Sequence, residues 1–377
     1  MPNKNIIIMK HDLASYPPVI ALIEQILEQN RDVEYIGGCS SKELKKEFLE
    51  RGVKFPFVAK YGGNFLRRFY QQLVFRHKVK RYLKRNNESE RRIWLVHFET
   101  AVLFHSLYKK EKIYTYLLEF RSSKLNLGYK VLSGFNNFSK ELNKSERVIC
   151  CEYNRAHLTK ALFNLDRLPY VIPNKFMLKE NKNLSLSNIH TDLIERYKNN
   201  KIILYQGGFS EERPLDSYIN AISLLPKEYV LFLMGPESKY KDKLRSYAGD
   251  NPQVVFVPAL PPPLHLEITK NAYIGIISYS PLGTNFSQMV NVLYCAPNKI
   301  FEYSQFGKPI IANDLPALTF INNKYKVGEI VPSNPLIEEI KISILKISEN
   351  YSEYSSRSKE YFDSIDTTAL FSKLILS

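Results

Sequence analysis

The sequence predicts an α/β protein of two domains, each built on a parallel sheet. Three observations predict it. The chain has 377 residues, which is long for one core and comfortable for two. Short apolar, β-branched runs alternate with helical patterns at intervals of about 20–25 residues, as in a parallel sheet covered on both faces. Several of these runs stop at glycine, as at Gly37-Gly38, Gly207-Gly208 and Gly235-Pro236.

In the first half, Asn5 to Met9 reads as a strand, with His11 to Tyr16 as the loop after it. Pro17 and Pro18 open a helix that places Val19, Leu22, Ile23, Ile26 and Leu27 on one face. Val33 to Ile36 is the second strand. This βαβ opening lacks the glycine fingerprint of dinucleotide-binding proteins, which disfavours an oxidoreductase. Ile93 to His97, Lys112 to Leu118, Arg147 to Cys151 and Tyr170 to Ile172 are further strands. His97 and Glu99 fall at the C-terminal end of one and Glu119 at that of another, and ligands bind at such ends. The polar run Lys179 to Asn188 reads as a linker.

The second half alternates more plainly. Strands are expected at Lys201 to Gln206, Tyr229 to Met234, Val254 to Val257 and Ile274 to Tyr279. Helices are expected from Pro214 to about Leu225, from Lys239 to Ala248 and from Leu264 to Ala272. A long loop then leads to Pro297, a short helix to Phe306, a stop at Gly307 and a buried strand from Pro309 to Ala312. The tail from Tyr351 to Leu376 is helical in pattern.

Charge is unevenly placed. The net charge is +15, and residues 1–180 hold 33 Lys+Arg against 18 Asp+Glu, which is all of it. Eleven cations lie between Lys60 and Arg92, including Arg67, Arg68, Arg76 and Lys80, opposed by Glu88 and Glu90. Phe65, Leu66, Phe69, Tyr70 and Leu73 are interleaved with them, which suits an anionic membrane surface. An ordinary surface helix with a core-facing side explains the apolar residues but not the excess of charge. A nucleic-acid-binding protein would also be basic, yet that reading leaves the stretch from Asn298 to Glu302 unexplained. No apolar run approaches the ~18 residues of a membrane span. Ile6 to Met9 is followed at once by Lys10, His11 and Asp12, so it reads as a strand and not a leader. The four cysteines have no metal-type spacing and are expected as reduced thiols in the cytoplasm.

The chemistry is expected around the stretch Tyr294 to Asp314. Lys299 stands in the first helical turn, where a cation meets the positive helix end at a cost of about 0.3–1 kcal/mol. An anion bound there removes that penalty. Glu302 lies three residues on, on the same face, where a carboxylate can accept hydrogen bonds from ribose hydroxyls. A solvated Lys299–Glu302 pair is the plainer alternative. Arg213, after Gly207-Gly208, is a second cation near a helix start, with pairing to Glu211 or Glu212 as its plainer alternative.

The run Asn298, Lys299, Ile300, Phe301, Glu302, Tyr303, followed by Gly307, Lys308, Pro309 and Ile310 to Ala312, resembles the donor-site signature of family 4-type glycosyltransferases of the GT-B fold. The likeness is specific over residues 200–332 and architectural over the first half. It implies two Rossmann-like parallel-sheet domains facing each other across a cleft. Residues 1–178 would be the acceptor-binding domain and 179–350 the nucleotide-sugar-binding domain, with 351–377 a helix returning to the first. The family holds the nucleotide diphosphate at the helix N-terminus, the ribose on the residue matching Glu302, and the diphosphate also on a cation matching Arg213. Many members carry a glutamate eight residues before Glu302 that contacts the transferred sugar. Here that residue is Tyr294, which leaves the sugar and the stereochemical outcome open.

The resemblance thus implies a hexosyltransferase, retaining in mechanism, that moves a sugar from a nucleotide-sugar, a UDP-sugar by preference. Its acceptor would be a membrane-associated, polyprenyl-linked saccharide in surface polysaccharide or glycan synthesis, with the enzyme peripheral on the inner face of the cell membrane. Donor contacts fall to Gly207, Gly208, Arg213, Tyr294, Asn298, Lys299 and Glu302. Catalytic roles fall to Arg213, Lys299, His97 and Glu119, and acceptor contacts to His11, Asp12, His97, Glu99, Arg67 and Arg68. No D-x-D pair is present to hold a divalent ion, so no metal and no cofactor are expected, and no nucleic acid as partner. A nucleotide-sugar epimerase of GT-B fold is the alternative enzyme, in which a basic first half would serve little purpose.

Overall fold

The structure is a computed structural model that describes residues 4–59, 62–86, 90–122, 127–132, 138–175, 185–281 and 285–376. Lys60, Glu88 and the first part of the expected linker, 179–184, lie outside the described residues. The chain divides into two compact units, one of Met1–Phe176 with Thr367–Ser377 and one of Met177–Asp366.

The first unit holds six parallel strands: β1 (Lys4–Asp12), β2 (Asp32–Gly38), β3 (Arg91–Val96), β4 (Ile113–Leu117), β5 (Arg147–Cys150) and β6 (Tyr170–Val171), in the order β2-β1-β3-β4-β5-β6. Between them run α1 (Pro17–Glu28), α2 (Lys42–Glu50), α3 (Phe65–Arg85), α4 (Phe98–Leu103), α5 (Leu127–Leu132), α6 (Phe138–Leu142) and α7 (Tyr153–Phe163). The apolar runs work because successive side chains face opposite sides of a sheet. Ile6, Ile8 and Leu95 enter one core with Phe75, Val79 and Leu83 of α3. Ile7, Met9, Trp94 and Val96 enter the other with Val19, Leu22 and Ile23 of α1. Strand order reverses at β1, so the ligand-binding crevice of such a sheet opens at its C-terminal end, at His11 and Asp12.

The basic segment is two different things. Leu66, Arg67, Arg68, Tyr70 and Leu73 are exposed on the first turns of α3, while its later turns join the core. Arg91 and Arg92 belong to β3 and are buried. Arg91 pairs with Glu111 at 2.5 Å, and Arg92 donates to the Ile375 carbonyl at 2.8 Å. These two guanidiniums are engaged inside the first unit, so the surface charge expected of them is absent.

The second unit repeats the plan. Its strands are β7 (Lys201–Gln206), β8 (Tyr229–Met234), β9 (Val254–Val257), β10 (Ile274–Ile277), β11 (Ile310–Asn313) and β12 (Gly328–Val331), ordered β12-β11-β10-β7-β8-β9 and all parallel. Its helices are α8 (Asn188–Arg196), α9 (Asp216–Ile222), α10 (Lys239–Ala248), α11 (His265–Asn271), α12 (Phe286–Leu293), α13 (Asn298–Gln305), α14 (Pro316–Tyr325), α15 (Ile337–Glu349) and α16 (Tyr351–Asp363). The long loop expected before Pro297 thus contains a helix, α12, capped by the Asn285 side chain. Order reverses at β7, which places the crevice at Gln206 and Gly207.

Helix α13 is fixed from behind. Tyr303 is fully buried and its hydroxyl donates to the Leu204 carbonyl of β7 at 2.9 Å. Its ring fills the space a Cβ on Gly275 would need, 2.4 Å away. Phe301 stacks on Tyr361 of α16 at 5.5 Å, and Ser358 of α16 donates to the Lys308 carbonyl at 2.9 Å. Residues 351–366 stay with this unit; the last helix, α17 (Thr367–Leu376), belongs to the first, where Phe371, Leu374 and Ile375 complete the core under α1.

Candidate functional site

At the end of β7 the backbone turns through Gly207, whose φ is +128. A Cβ there would sit 2.8 Å from Cε of Lys299, and a Cβ on Gly235 would sit 2.0 Å from the Gly207 carbonyl oxygen. Two loops and one side chain therefore meet where only glycine fits. Arg213 returns to the same turn, its guanidinium donating to the Gly208 carbonyl at 3.0 Å.

Lys299 points into this corner from the first turn of α13, which has Pro297 as its N-cap and no side-chain capping bond. The residue is 9 % exposed, and its Nζ has no hydrogen-bond partner among the described residues. What faces it is aromatic: Nζ lies 4.0 Å from the centre of the Tyr205 ring and 6.0 Å from that of Tyr279. Arg213 lies over the other side of the site, 5.4 Å from the Tyr279 ring. Burial pushes the Lys299 amine well below its ordinary range, the Arg213 charge pushes it further, and Glu302 opposes both. Two cations that make no direct ion pair among the described residues, a helix end and two ring faces make a site that a bound anion would relieve.

Glu302 does not pair with Lys299. Its Oε2 accepts from the Gln206 amide at 2.5 Å, and its Oε1 lies 3.3 Å from Nε2 of His265. Gln206 is held in turn by the Thr269 hydroxyl, which donates to its Oε1 at 2.7 Å. Burial opposes the Glu302 charge, but His265, then Gln206 and Lys299, outweigh it and keep the carboxyl below its ordinary range. Tyr294 ends α12 and Asn298 begins α13, both half-buried. Sequence reasoning missed Tyr205, Gln206, His265, Thr269 and Tyr279. Gln206 alone had a signal, as a polar residue closing a buried strand at the ligand end of a sheet.

The first unit gathers a second group at the end of β1. His97 follows β3 with φ +70, a strained value for a non-glycine residue. Its ring sits against His11 at 4.7 Å and Tyr16 at 4.4 Å, and its Nε2 is buried without a hydrogen-bond partner among the described residues. Burial, followed by His11, Arg121 and Lys10, lowers the His97 pKa to about 3. Burial also lowers that of His11. A base so weak accepts protons poorly at neutral pH, so the His97 ring is neutral there. Arg121 joins Glu99 and Glu119, at 3.3 Å from each. Lys10 donates to the Tyr129 hydroxyl. Asp12 accepts from the amides of Ala14 at 3.0 Å and Ser40 at 3.2 Å, tying two loops together. Arg67 and Arg68 sit apart from this group in sequence, on the exposed first turn of α3.

Donor atoms of His11, His97 and Glu99 lie within 4.8 Å of one another. Lys10 and Arg121 place positive charge beside this set. The second-unit group, with two cations and one carboxylate, suits an anion and not a metal ion.

No protein-family profile matches the sequence, and no curated protein matches it. Solved structures match along nearly the whole chain. HepE of Anabaena in complex with UDP-glucose superposes with a TM-score of 0.67 at 14% identity, covering 99% of this chain and 98% of that one. Sucrose-phosphate synthase from Thermosynechococcus elongatus gives 0.69 at 13% identity, with 99% and 97% covered. WaaG, a glycosyltransferase involved in lipopolysaccharide biosynthesis, gives 0.62 at 10% identity, with 98% of each covered. The two six-stranded parallel sheets are those of the GT-B fold, and at these identities the likeness is one of fold.

Proposed function

We propose that this protein is a glycosyltransferase that takes a sugar from a nucleotide-sugar, a UDP-sugar by preference, and passes it to a membrane-associated, polyprenyl-linked saccharide. The observation that carries the donor half is the buried Lys299 amine, which has no hydrogen-bond partner among the described residues and stands at the start of α13 between Arg213 and the Gly207 turn. A diphosphate supplies the charge this corner lacks. Glu302, at the same helix, supplies the acceptor for ribose hydroxyls. That HepE has been solved with UDP-glucose, and with UDP and glucose, supports the choice of nucleotide.

Transfer breaks the bond between the sugar's anomeric carbon and the diphosphate oxygen, and negative charge grows on the departing diphosphate. Lys299, Arg213 and the first amides of α13 are placed to meet that charge. Preorganised donors of this kind are commonly worth about 3–4 kcal/mol each, so the mechanism needs no metal. The reaction is read as retaining, with the acceptor proton passing to a donor phosphate oxygen, since His97 is too weak a base for it.

The acceptor is assigned to the first unit. Lys10, His11, His97 and Glu99 offer polar groups at the ligand end of its sheet. Leu66, Tyr70 and Leu73 are exposed beside Arg67 and Arg68, a combination that favours attachment to the inner face of a cell membrane. Among the described residues no helix is long and apolar enough to cross a membrane.

A screen of UDP-, GDP-, ADP- and TDP-sugars for thermal stabilisation and for hydrolysis tests the reading. A ligand at about 100 times its Kd stabilises by ~2.7 kcal/mol. No stabilisation by any nucleotide-sugar, and none by the free diphosphates, would end it.

A further inference from the structure

Lys299 and Glu302 stand three residues apart on one helix, the spacing at which opposite charges pair. They do not pair. The Lys299 amine faces the Tyr205 ring at 4.0 Å, while the Glu302 carboxylate is taken by Gln206 at 2.5 Å and His265 at 3.3 Å. Two neighbouring charges in a half-buried site are thus each held by a third group, at the expense of the contact between them. Neutralising the pair would need none of these residues.

The hold on the carboxylate is specific in its geometry. One donor meets each oxygen, and a carboxylate has about four acceptor positions. One position on each oxygen remains, with the plane of the group fixed from both sides. The Gln206 donor is itself locked by Thr269 at 2.7 Å, in a chain that joins α11 to β7 and β7 to α13. His265 meets Glu302 through Nε2, and its Nδ1 is buried without a hydrogen-bond partner among the described residues. Nε2 faces a carboxylate oxygen, which can only accept, while Nδ1 faces no acceptor among the described residues. This assigns the proton to Nε2, aimed at the carboxylate.

We infer that His265 is a positioning residue: together with Gln206 it keeps the Glu302 carboxylate off Lys299 and leaves one acceptor position on each oxygen for the two vicinal hydroxyls of a ribose. The inference rests on reading this corner as a nucleotide site. It adds the group that makes the carboxylate selective for ribonucleotides, and it makes Lys299 available to phosphate by the same contact.

The test is a ratio of affinities measured by calorimetry on the full chain: UDP against 2′,3′-dideoxy-UDP. The wild type should prefer UDP roughly tenfold or more, the loss expected when hydrogen bonds to a charged group are removed. In His265→Leu the ratio should fall toward one, and in His265→Gln, which keeps a donor at the same reach, it should be largely retained. Gln206→Leu should lower the ratio as His265→Leu does, and serves if that variant fails to fold. A merely structural role for His265 would weaken both ligands equally, so an unchanged ratio in the variants overturns the inference. A wild-type ratio near one with firm UDP binding overturns it too, while leaving the diphosphate site intact. If UDP does not bind, the pair is drawn from whichever nucleoside diphosphate binds best. Binding of none of them would defeat the site reading and the inference together.

Discussion

Replacing Lys299 with methionine should make the free protein more stable and the liganded protein less so. Lys299 is 9 % exposed and its amine has no hydrogen-bond partner among the described residues. Leaving such a group buried costs about 1–3 kcal/mol. The Tyr205 ring at 4.0 Å returns about 0.5–2 kcal/mol by cation–π attraction. Methionine keeps the length and a sulfur–aromatic contact, so the net gain should be about 1 kcal/mol, or roughly 2–4 °C for a unit of this size. Saturating UDP should reverse the order, because the variant lacks the amine that meets the diphosphate.

The pH dependence has a definite sign. The folded pKa of Lys299 lies below the ordinary 10.5, chiefly through burial, so the unfolded chain binds this proton more tightly. Wild-type stability therefore rises with pH between the folded value and 10.5 and is flat above it. The advantage of Lys299→Met is fullest below that window and shrinks across it. Binding a diphosphate raises the pKa again, so UDP affinity should fall as pH climbs through the same window. Thermal unfolding with and without UDP, at several pH values, reads all of this. A variant that melts lower than wild type without ligand, yet keeps its UDP shift, would refute the reasoning.

Glu302→Ala should weaken UDP binding roughly tenfold or more, through loss of hydrogen bonds to a charged group worth about 1.5–3 kcal/mol, while circular dichroism shows the fold retained; unchanged affinity would remove Glu302 from the site. Transfer activity should be the same in EDTA as without it, because Lys299 and Arg213 supply the charge; loss restored by magnesium or manganese would count against that mechanism. Serine at Arg67 and Arg68, on the exposed start of α3, should weaken sedimentation with anionic liposomes at low salt, since each nearby cation contributes about 1 kcal/mol, and should leave donor hydrolysis nearly unchanged. No change in liposome binding would mark the segment as a solvated face and favour a soluble acceptor.

What the sequence made legible was local. The strands of the second unit stand out because Ile202 to Tyr205, Val230 to Met234 and Ile274 to Ile277 are buried in unbroken apolar runs. Pro297 and Gly307 bracket α13 because each suits one helix end. Helix α12 was missed although Phe286, Met289, Val290 and Leu293 recur at helical spacing, because it is only eight residues long and sits in a stretch read as loop. Helix α2 was hidden by its charge, since Phe48 is its one fully buried side chain.

The site divides along the same line. Lys299 and Glu302 were legible because a cation in a first helical turn breaks a local rule, and rule-breaking residues gather where a ligand makes up the difference. Their supports were illegible because they arrive from far along the chain. Gln206 reaches Glu302 across 96 positions and Thr269 reaches Gln206 across 63. The error this produced is instructive: spacing offered a Lys299–Glu302 pair as the plain alternative to function, and the fold refuses that pair. Tyr205 holds the cation and His265 the anion, so the two charges that would cancel in an ordinary surface helix stay separately available. Arg91 and Arg92 show the converse. They read as membrane-facing charge by position in a basic run, but Glu111 and the Ile375 carbonyl spend them inside the first unit. A cation's meaning lies in whether its counterion is already in the fold, and Lys299 and the exposed start of α3 leave that question to a partner.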